Sequence, residues 1–480
     1  MFRRIFRLPL MVVAIGLIPL SSFAVTWSQP VLIGNSLISP YGPPDIEVDK
    51  DGDIWVTWTS ENLYARYYNG NSWSETMSAP GEGIEPQIAV DSSNNIWVIW
   101  STAYRVHCSH YDGVEWSPME LVCPDTGWSY SPSITVTPSG EIWAAYMHGP
   151  MPYGSVFRAV VSHREEDGWS SPTIVSGVEG LVLLPYNTAI CSDENSGIWA
   201  AWMSIYGIMG SYYDGGKWGE PALISTDIDV GEDDCWHIKF TTDLDGRVWG
   251  CYDHASIHTP LSRICVNRAE GDSWMDNPLT VCSSDSVRYG WPDIAVDDSG
   301  KIWVVYDYHD TLDYFVFSSY YDGDNWSAPA LVSIEPVIRG VCPVITKDNS
   351  GNIWSAWRGW TETEEGIYVN YCNALVGLEE LPKPEKESDI KFWVSPNPFT
   401  IETSINLRLA SDNFVSLKIY DIAGRLVRTV INGYTSAGHH IRHWNGQDEK
   451  GIRVRSGVYL CKLHVGEKAF TRKVTFLGSF

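Results

Sequence analysis

The stretch Pro44-Asp45-Ile46-Glu47-Val48-Asp49-Lys50-Asp51-Gly52-Asp53-Ile54-Trp55-Val56-Thr57-Trp58 decides the fold, because its pattern returns until there are seven copies. PQIAVDSSNNIWVIW occupies 86–100 and PDIAVDDSGKIWVVY occupies 292–306. The tryptophans of the seven copies are Trp55, Trp97, Trp143, Trp199, Trp249, Trp303 and Trp354. Eleven residues before them stand Pro44, Pro86, Pro132, Thr188, Ile238, Pro292 and Pro343. Spacing that holds while residues change marks a rigid unit. Within each copy apolar and polar residues alternate, break at an Asp/Asn/Gly turn and resume at Ile-Trp, which is the signature of two tightly joined antiparallel strands.

A second phrase follows each hairpin, as in YYNGNSW, HYDGVEW, YYDGGKW and YYDGDNW, ending at Trp73, Trp116, Trp218 and Trp326, with related copies ending at Trp169 and Trp274. After it come Ser-x-Pro and an apolar run, so each unit holds four strands, which is a propeller blade and not a helical repeat. The seventh unit ends near Tyr371 without that last strand, and Trp27-Ser28-Gln29-Pro30-Val31-Leu32-Ile33 supplies the missing piece. The expected architecture is an all-β, seven-bladed β-propeller over 25–376, closed by its N-terminal strand.

Composition narrows the function classes. With 33 basic residues against 59 acidic ones the formal charge is -26, and no basic patch stands out, which argues against nucleic acid or anionic lipid as partner. Arg3, Arg4 and Arg7 precede an apolar run from Leu8 to Leu20 that ends in Ser21, Ser22, Phe23 and Ala24, the pattern of a signal peptide over 1–24. That run is too short to span a bilayer and no later one is longer, so no transmembrane segment is expected in the mature chain. The ten cysteines lack zinc spacing. Cys251 with Cys265 and Cys108 with Cys123 stand as either cross-strand disulfides or buried free thiols.

The turn phrase resembles the Asp box, Ser-x-Asp-x-Gly-x-x-Trp, of sialidases and related propellers. Ser109, Ser162, Ser211 and Ser319 match its serine, and Gly70, Gly113, Gly215, Gly271 and Gly323 its glycine. The aspartate column holds Tyr68, Tyr111, Arg164, Tyr213, Ala269 and Tyr321, with an acid one step later in Asp112, Asp214 and Asp322, so the box is shifted. The resemblance implies a sialidase-like fold. It does not extend to sialidase activity, because the Arg-Ile-Pro motif of that reaction centre has no counterpart in the mature chain.

Beyond an acidic linker at 377–391 the propeller phrase never returns. Residues 392–480 resemble a type IX secretion C-terminal sorting domain, or the similar immunoglobulin-like domain of flagellar hook-capping proteins. Pro396-Asn397-Pro398-Phe399, Val415 to Asp421 with Gly424-Arg425-Leu426-Val427, Trp444-Asn445-Gly446, Ser456-Gly457-Val458-Tyr459 and Lys473 carry that resemblance. It implies a C-terminal immunoglobulin-like β-sandwich, a type IX export machinery as partner, and a secreted or surface-attached protein of a diderm bacterium. A passive accessory β-sandwich is the other reading.

In a four-stranded blade the loops before the first strand and after the second share one face of the disc, and the tight turns share the other. Trp128, Tyr130, Trp236, His237, Arg288, Tyr289 and Trp291 fall before first strands, while Tyr104, His148, Asp253, His254, Asp307, Tyr308, His309, Asp310, Arg358 and Trp360 fall after second strands. Flat aromatic surfaces with planar polar groups suit sugars, so a glycan ligand, or else a cell-surface protein, is expected on that face. His309 with Asp307 or Asp310, and His254 with Asp253, are candidate oriented imidazoles. No cofactor is expected. The Asp-x-Asp-Gly turns hint at structural calcium, but Asp-Gly is also what a tight hairpin requires. Two functions remain open, a non-catalytic exported binding propeller and a carbohydrate-active enzyme, either a glycoside hydrolase or a polysaccharide lyase.

Overall fold

The computed structural model describes residues 25–35, 42–150, 157–177, 187–226, 233–256, 261–310, 313–337, 339–373, 390–395, 399, 403–409, 413–421, 425–436, 438–465 and 468–476. The expected signal peptide and almost all of the expected linker lie outside them. Every regular element among the described residues is a strand. The chain divides into two compact units, 1–377 and 378–480.

The first unit is a β-propeller. Among the described residues it contains seven antiparallel sheets, five of four strands and two of five, the extra strands being the short pieces Gly168–Trp169 and Ser273–Trp274. The first strands of successive sheets touch one another all the way round, and that of the first sheet, Asp45–Val48, also touches that of the seventh, Arg339–Lys347, so the ring is closed. Closure is made as the repeat predicts. Val31–Asn35 pairs antiparallel with Glu365–Asn373, while Trp27 Nε1 donates to Ser318 Oγ at 3.0 Å. An edge that would otherwise lie open is thereby paired.

Burial explains the repeat. The seven repeat tryptophans are all at most 7 % exposed and sit in hydrophobic clusters that each join two neighbouring blades. Five of the seven indoles have a further constraint six residues upstream. Asp49, Asp91, Asp243, Asp297 and Asp348 accept the Nε1–H of Trp55, Trp97, Trp249, Trp303 and Trp354 at 2.8–2.9 Å, and with the other carboxylate oxygen accept turn N–H groups. These acidic turns are therefore hairpin locks whose carboxylates are already engaged. The shifted Asp box works likewise, since Asp112, Asp214 and Asp322 each accept two backbone N–H groups and are held below the usual carboxylate range by them.

All ten cysteines are free thiols. Cys251 lies opposite Val266 and Cys265 opposite Tyr252, so the two sit one register step apart and their side chains enter different inter-blade clusters. Alternation along a strand rules out the bridge. Cys108 and Cys123 share a cluster, but Cys108 Sγ accepts the Trp169 indole N–H at 3.3 Å, and burial pushes its thiol up to about 12.

The second unit pairs a three-stranded sheet, Ile390–Ser395, Thr403–Leu409 and Gly438–Trp444, with a four-stranded one, Leu426–Thr435, Asn413–Asp421, Gly457–Val465 and Lys468–Phe476. Its core gathers Phe392, Phe399, Leu417, Trp444 and Phe476, giving the immunoglobulin-like β-sandwich.

Candidate functional site

One column of the repeat reaches the channel mouth by a backbone device. Glu85, Ser131, Asn187, His237, Trp291 and Cys342 each stand directly before the repeat Pro or its replacement, and each has a positive φ, from 48° to 71°. In five of the blades the ladder register shifts across this residue, which makes a β-bulge. A proline that cannot donate to the ladder suits such a bulge. Non-glycine residues in left-handed backbone are strained, and they cluster where a side chain must be aimed. The expected loops before first strands are thus the strands' own beginnings, Trp128–Val136, Asp233–Thr242 and Arg288–Val296, carried past the bulge.

All of these left-handed positions but Cys342, which is buried, converge on a cavity of about 530 Å³ whose lining includes Glu85, Ser131, Asn187, Trp236, His237 and Trp291, together with the exposed Arg288 and the half-buried Gln87 and Lys239. Lys239 Nζ donates to Gln87 Oε1 at 2.7 Å. Lys239 belongs to the fifth blade and Gln87 to the second, so the bond crosses the channel axis. Lys239 also stands 3.8 Å from Asp45. Burial would lower the Lys239 pKa, but Asp45 and Asp293 more than offset it and the net shift is upward. Desolvation raises the pKa of Asp45, takes Asp293 to about 6 and takes Glu47 to about 7. Asp45 Oδ2 and Asp293 Oδ2 each accept a backbone N–H of the next blade, from Ile88 and Ile345, so the acids also tie the ring together.

At the mouth, His237 Nδ1 lies 2.9 Å from Oδ1 of buried Asp253, and its ring stacks on Trp291 with centroids 3.9 Å apart. Burial raises Glu85 to about 6, against hydrogen bonds from Ser131 and the nearby His237. His309 Nε2 lies 3.0 Å from Oδ1 of Asp307, whose other oxygen accepts the Cys342 N–H. Cavity, aromatic rings and a carboxylate-backed imidazole therefore coincide.

Of the residues singled out from sequence, Trp236, His237, Arg288 and Trp291 meet here. Asp253 supports His237 and not His254, because adjacent residues of a strand point to opposite sides; His254 instead accepts from Arg263 Nε at 2.9 Å. His309 and Asp307, two apart, share a side and do meet. The others lie elsewhere. Trp128 stacks on Tyr104 at 4.3 Å, Tyr130 packs on Phe157, and Tyr289 is core, 8 % exposed, against Tyr306. Asp310 caps its own turn through Asp313 N–H, and Arg358 pairs with Glu365 beneath Trp360. Glu85, Gln87, Ser131, Asn187 and Lys239 were missed, although their columns beside the repeat Pro vary from copy to copy.

Among the described residues, no group of three or more His, Cys, Asp or Glu is arranged to hold a metal ion, and no helix is long and apolar enough to cross a membrane.

Fold and site together define a β-propeller with a cavity on its axis, followed by an immunoglobulin-like domain. Residues 397–467 match the FlgD Ig-like domain family. No curated protein matches the chain. Similar solved structures include an ulvan lyase of a polysaccharide lyase family bound to a glucuronate–sulfated rhamnose unit (13 % identity, 72 % of this chain, 95 % of that one, TM-score 0.47). PorZ, a surface component of the type IX secretion system of Porphyromonas gingivalis, is similar at 14 % identity over 89 % of this chain and 64 % of its own, with TM-score 0.37. An α-L-arabinanase of Penicillium chrysogenum shares 10 % identity over 66 % of this chain and 93 % of its own, with TM-score 0.38. At these identities and TM-scores the likenesses say nothing of what this chain binds or does.

Proposed function

We propose that the propeller is a non-catalytic glycan-binding module, exported past an outer membrane under its sialidase-like fold and a C-terminal sorting domain. The reading takes 1–24 as a removed signal peptide, 25–376 as the binding domain, 377–391 as linker and 392–480 as the sorting domain. The observation that carries the binding role is the convergence of Trp236, Trp291, His237 and Arg288 on one axial cavity. Sugars present C–H faces to aromatic rings and hydroxyls to planar polar groups, and the cavity offers both.

The enzyme reading draws on one specific observation, the His237–Asp253 pair facing a cavity that also holds Glu85, because a carboxylate-oriented imidazole is equipped to take a proton. A panel of glycans and polysaccharides presented to the full secreted chain separates the two. Binding without new reducing or unsaturated ends is expected. Product formation that disappears in His237→Ala makes it a carbohydrate-active enzyme, and silence throughout removes glycans in favour of a cell-surface protein partner. Recovery of the chain at the surface of a type IX-competent host, lost when 392–480 is deleted, tests the export role.

A further inference from the structure

Resting on the glycan reading above, we propose that the ligand is an acidic sugar whose carboxylate is held by Arg288 on the rim of the axial cavity, as in a polyuronate. Charge accounting carries this inference. Arg164, Arg247, Arg268 and Arg358 each hold a carboxylate, and Arg66 and Arg105 hold backbone carbonyls. Arg288 holds neither among the described residues, although the chain has 59 acids for 33 bases and could readily have supplied a partner. It is exposed, opens the first strand of the sixth blade and lines the cavity three residues before Trp291.

The other charges of the cavity are already committed. Lys239 is engaged by Gln87 and Asp45, His237 by Asp253, and Glu85 is bonded to Ser131 with His237 nearby. Among the described residues, what remains available to a ligand is one guanidinium. Its planar fork matches a carboxylate bidentately, which an ammonium does not. A uronic acid combines such a carboxylate with a ring whose C–H face suits the neighbouring indole. The same guanidinium would meet a neutral sugar only through weaker hydroxyl contacts.

The test uses the full chain, with oligogalacturonate and mannuronate-rich alginate oligosaccharides each titrated beside its carboxyl-reduced neutral counterpart. The carboxylated member of at least one pair should bind tenfold or more tighter, about 1.4 kcal/mol. Arg288→Gln should bring it down to the level of the neutral member, and Arg288→Lys should keep only part of the preference. Because Arg288 holds no carboxylate or carbonyl among the described residues and its side chain is exposed, both variants should melt as the parent does. Equal binding within every pair, or a preference that survives Arg288→Gln, overturns the carboxylate assignment and leaves the glycan reading standing. Failure of both members of every pair, together with silence on the neutral panel, overturns both.

Discussion

The two ends of each blade's first strand behave differently. At the turn end a tryptophan recurs in every blade, and five blades repeat one device, an aspartate that binds its own turn and the indole six residues on. At the channel-mouth end the backbone device is what repeats, a left-handed residue before the repeat Pro. The side chains it presents are Glu85, Ser131, Asn187, His237, Trp291 and Cys342, no two alike. Constant side chains on a constant backbone specify a fold. Different side chains on a constant, strained backbone supply a site.

The middle of the channel offers the sharpest way to break that contrast, because there both roles meet in Lys239. Lys239→Met leaves Asp45 and Asp293 facing each other without a counter-charge, so a loss of about 3 kcal/mol at pH 8 is expected. Denaturant unfolding of the full chain followed by tryptophan fluorescence measures it, and the deficit should shrink at pH 5 as the carboxyls protonate. An unchanged midpoint at pH 8 would mean that the cross-channel contacts are incidental.

At the turn end, Asp297 is 1 % exposed and serves two backbone N–H groups, a hydroxyl and the Trp303 indole. Asp297→Ala strands those donors and should cost about 2 kcal/mol. Ligand affinity at the opposite mouth should not move, and a matched loss of affinity would tie the two ends together.

The smallest effect concerns pH. Burial raises Glu47 from its ordinary 4.5 to about 7. A carboxyl with a higher pKa in the folded than in the unfolded state contributes stability that is full below the unfolded value. That contribution is lost as pH rises through the folded one, here between about 4.5 and 7. Glu47 is only half-buried, so a term of about 1 kcal/mol is expected after screening by channel water. Glu47→Gln should flatten the melting temperature across that window, and a slope identical to the parent's would assign it to other groups.

Much of the fold was legible in the chain because propeller repeats are local. Spacing, turn chemistry and the displaced Trp27-Ser28-Gln29-Pro30 piece identified blades and closure without any long-range information. The site was legible only in part. Trp236, His237, Arg288 and Trp291 stood out by residue type, but the partner of His237 was assigned to the wrong neighbour, since strand alternation sends Asp253 and His254 apart. Lys239, Gln87 and Asp45 come from three blades and meet only across the axis, a contact that no local pattern encodes. Tyr289 and Trp128 were drawn in by their aromaticity, whereas inter-blade packing claims them.

The central claim is that the bulge residues at the channel mouth bind the ligand. Its most direct test is the affinity of Trp291→Gly for whichever glycan the panel selects. Glycine accepts the φ of 48° at this position without strain, so the ring is removed while the backbone is kept. The account predicts a loss of roughly tenfold or more with an unchanged melting temperature, whereas parental affinity in a folded Trp291→Gly chain would contradict it.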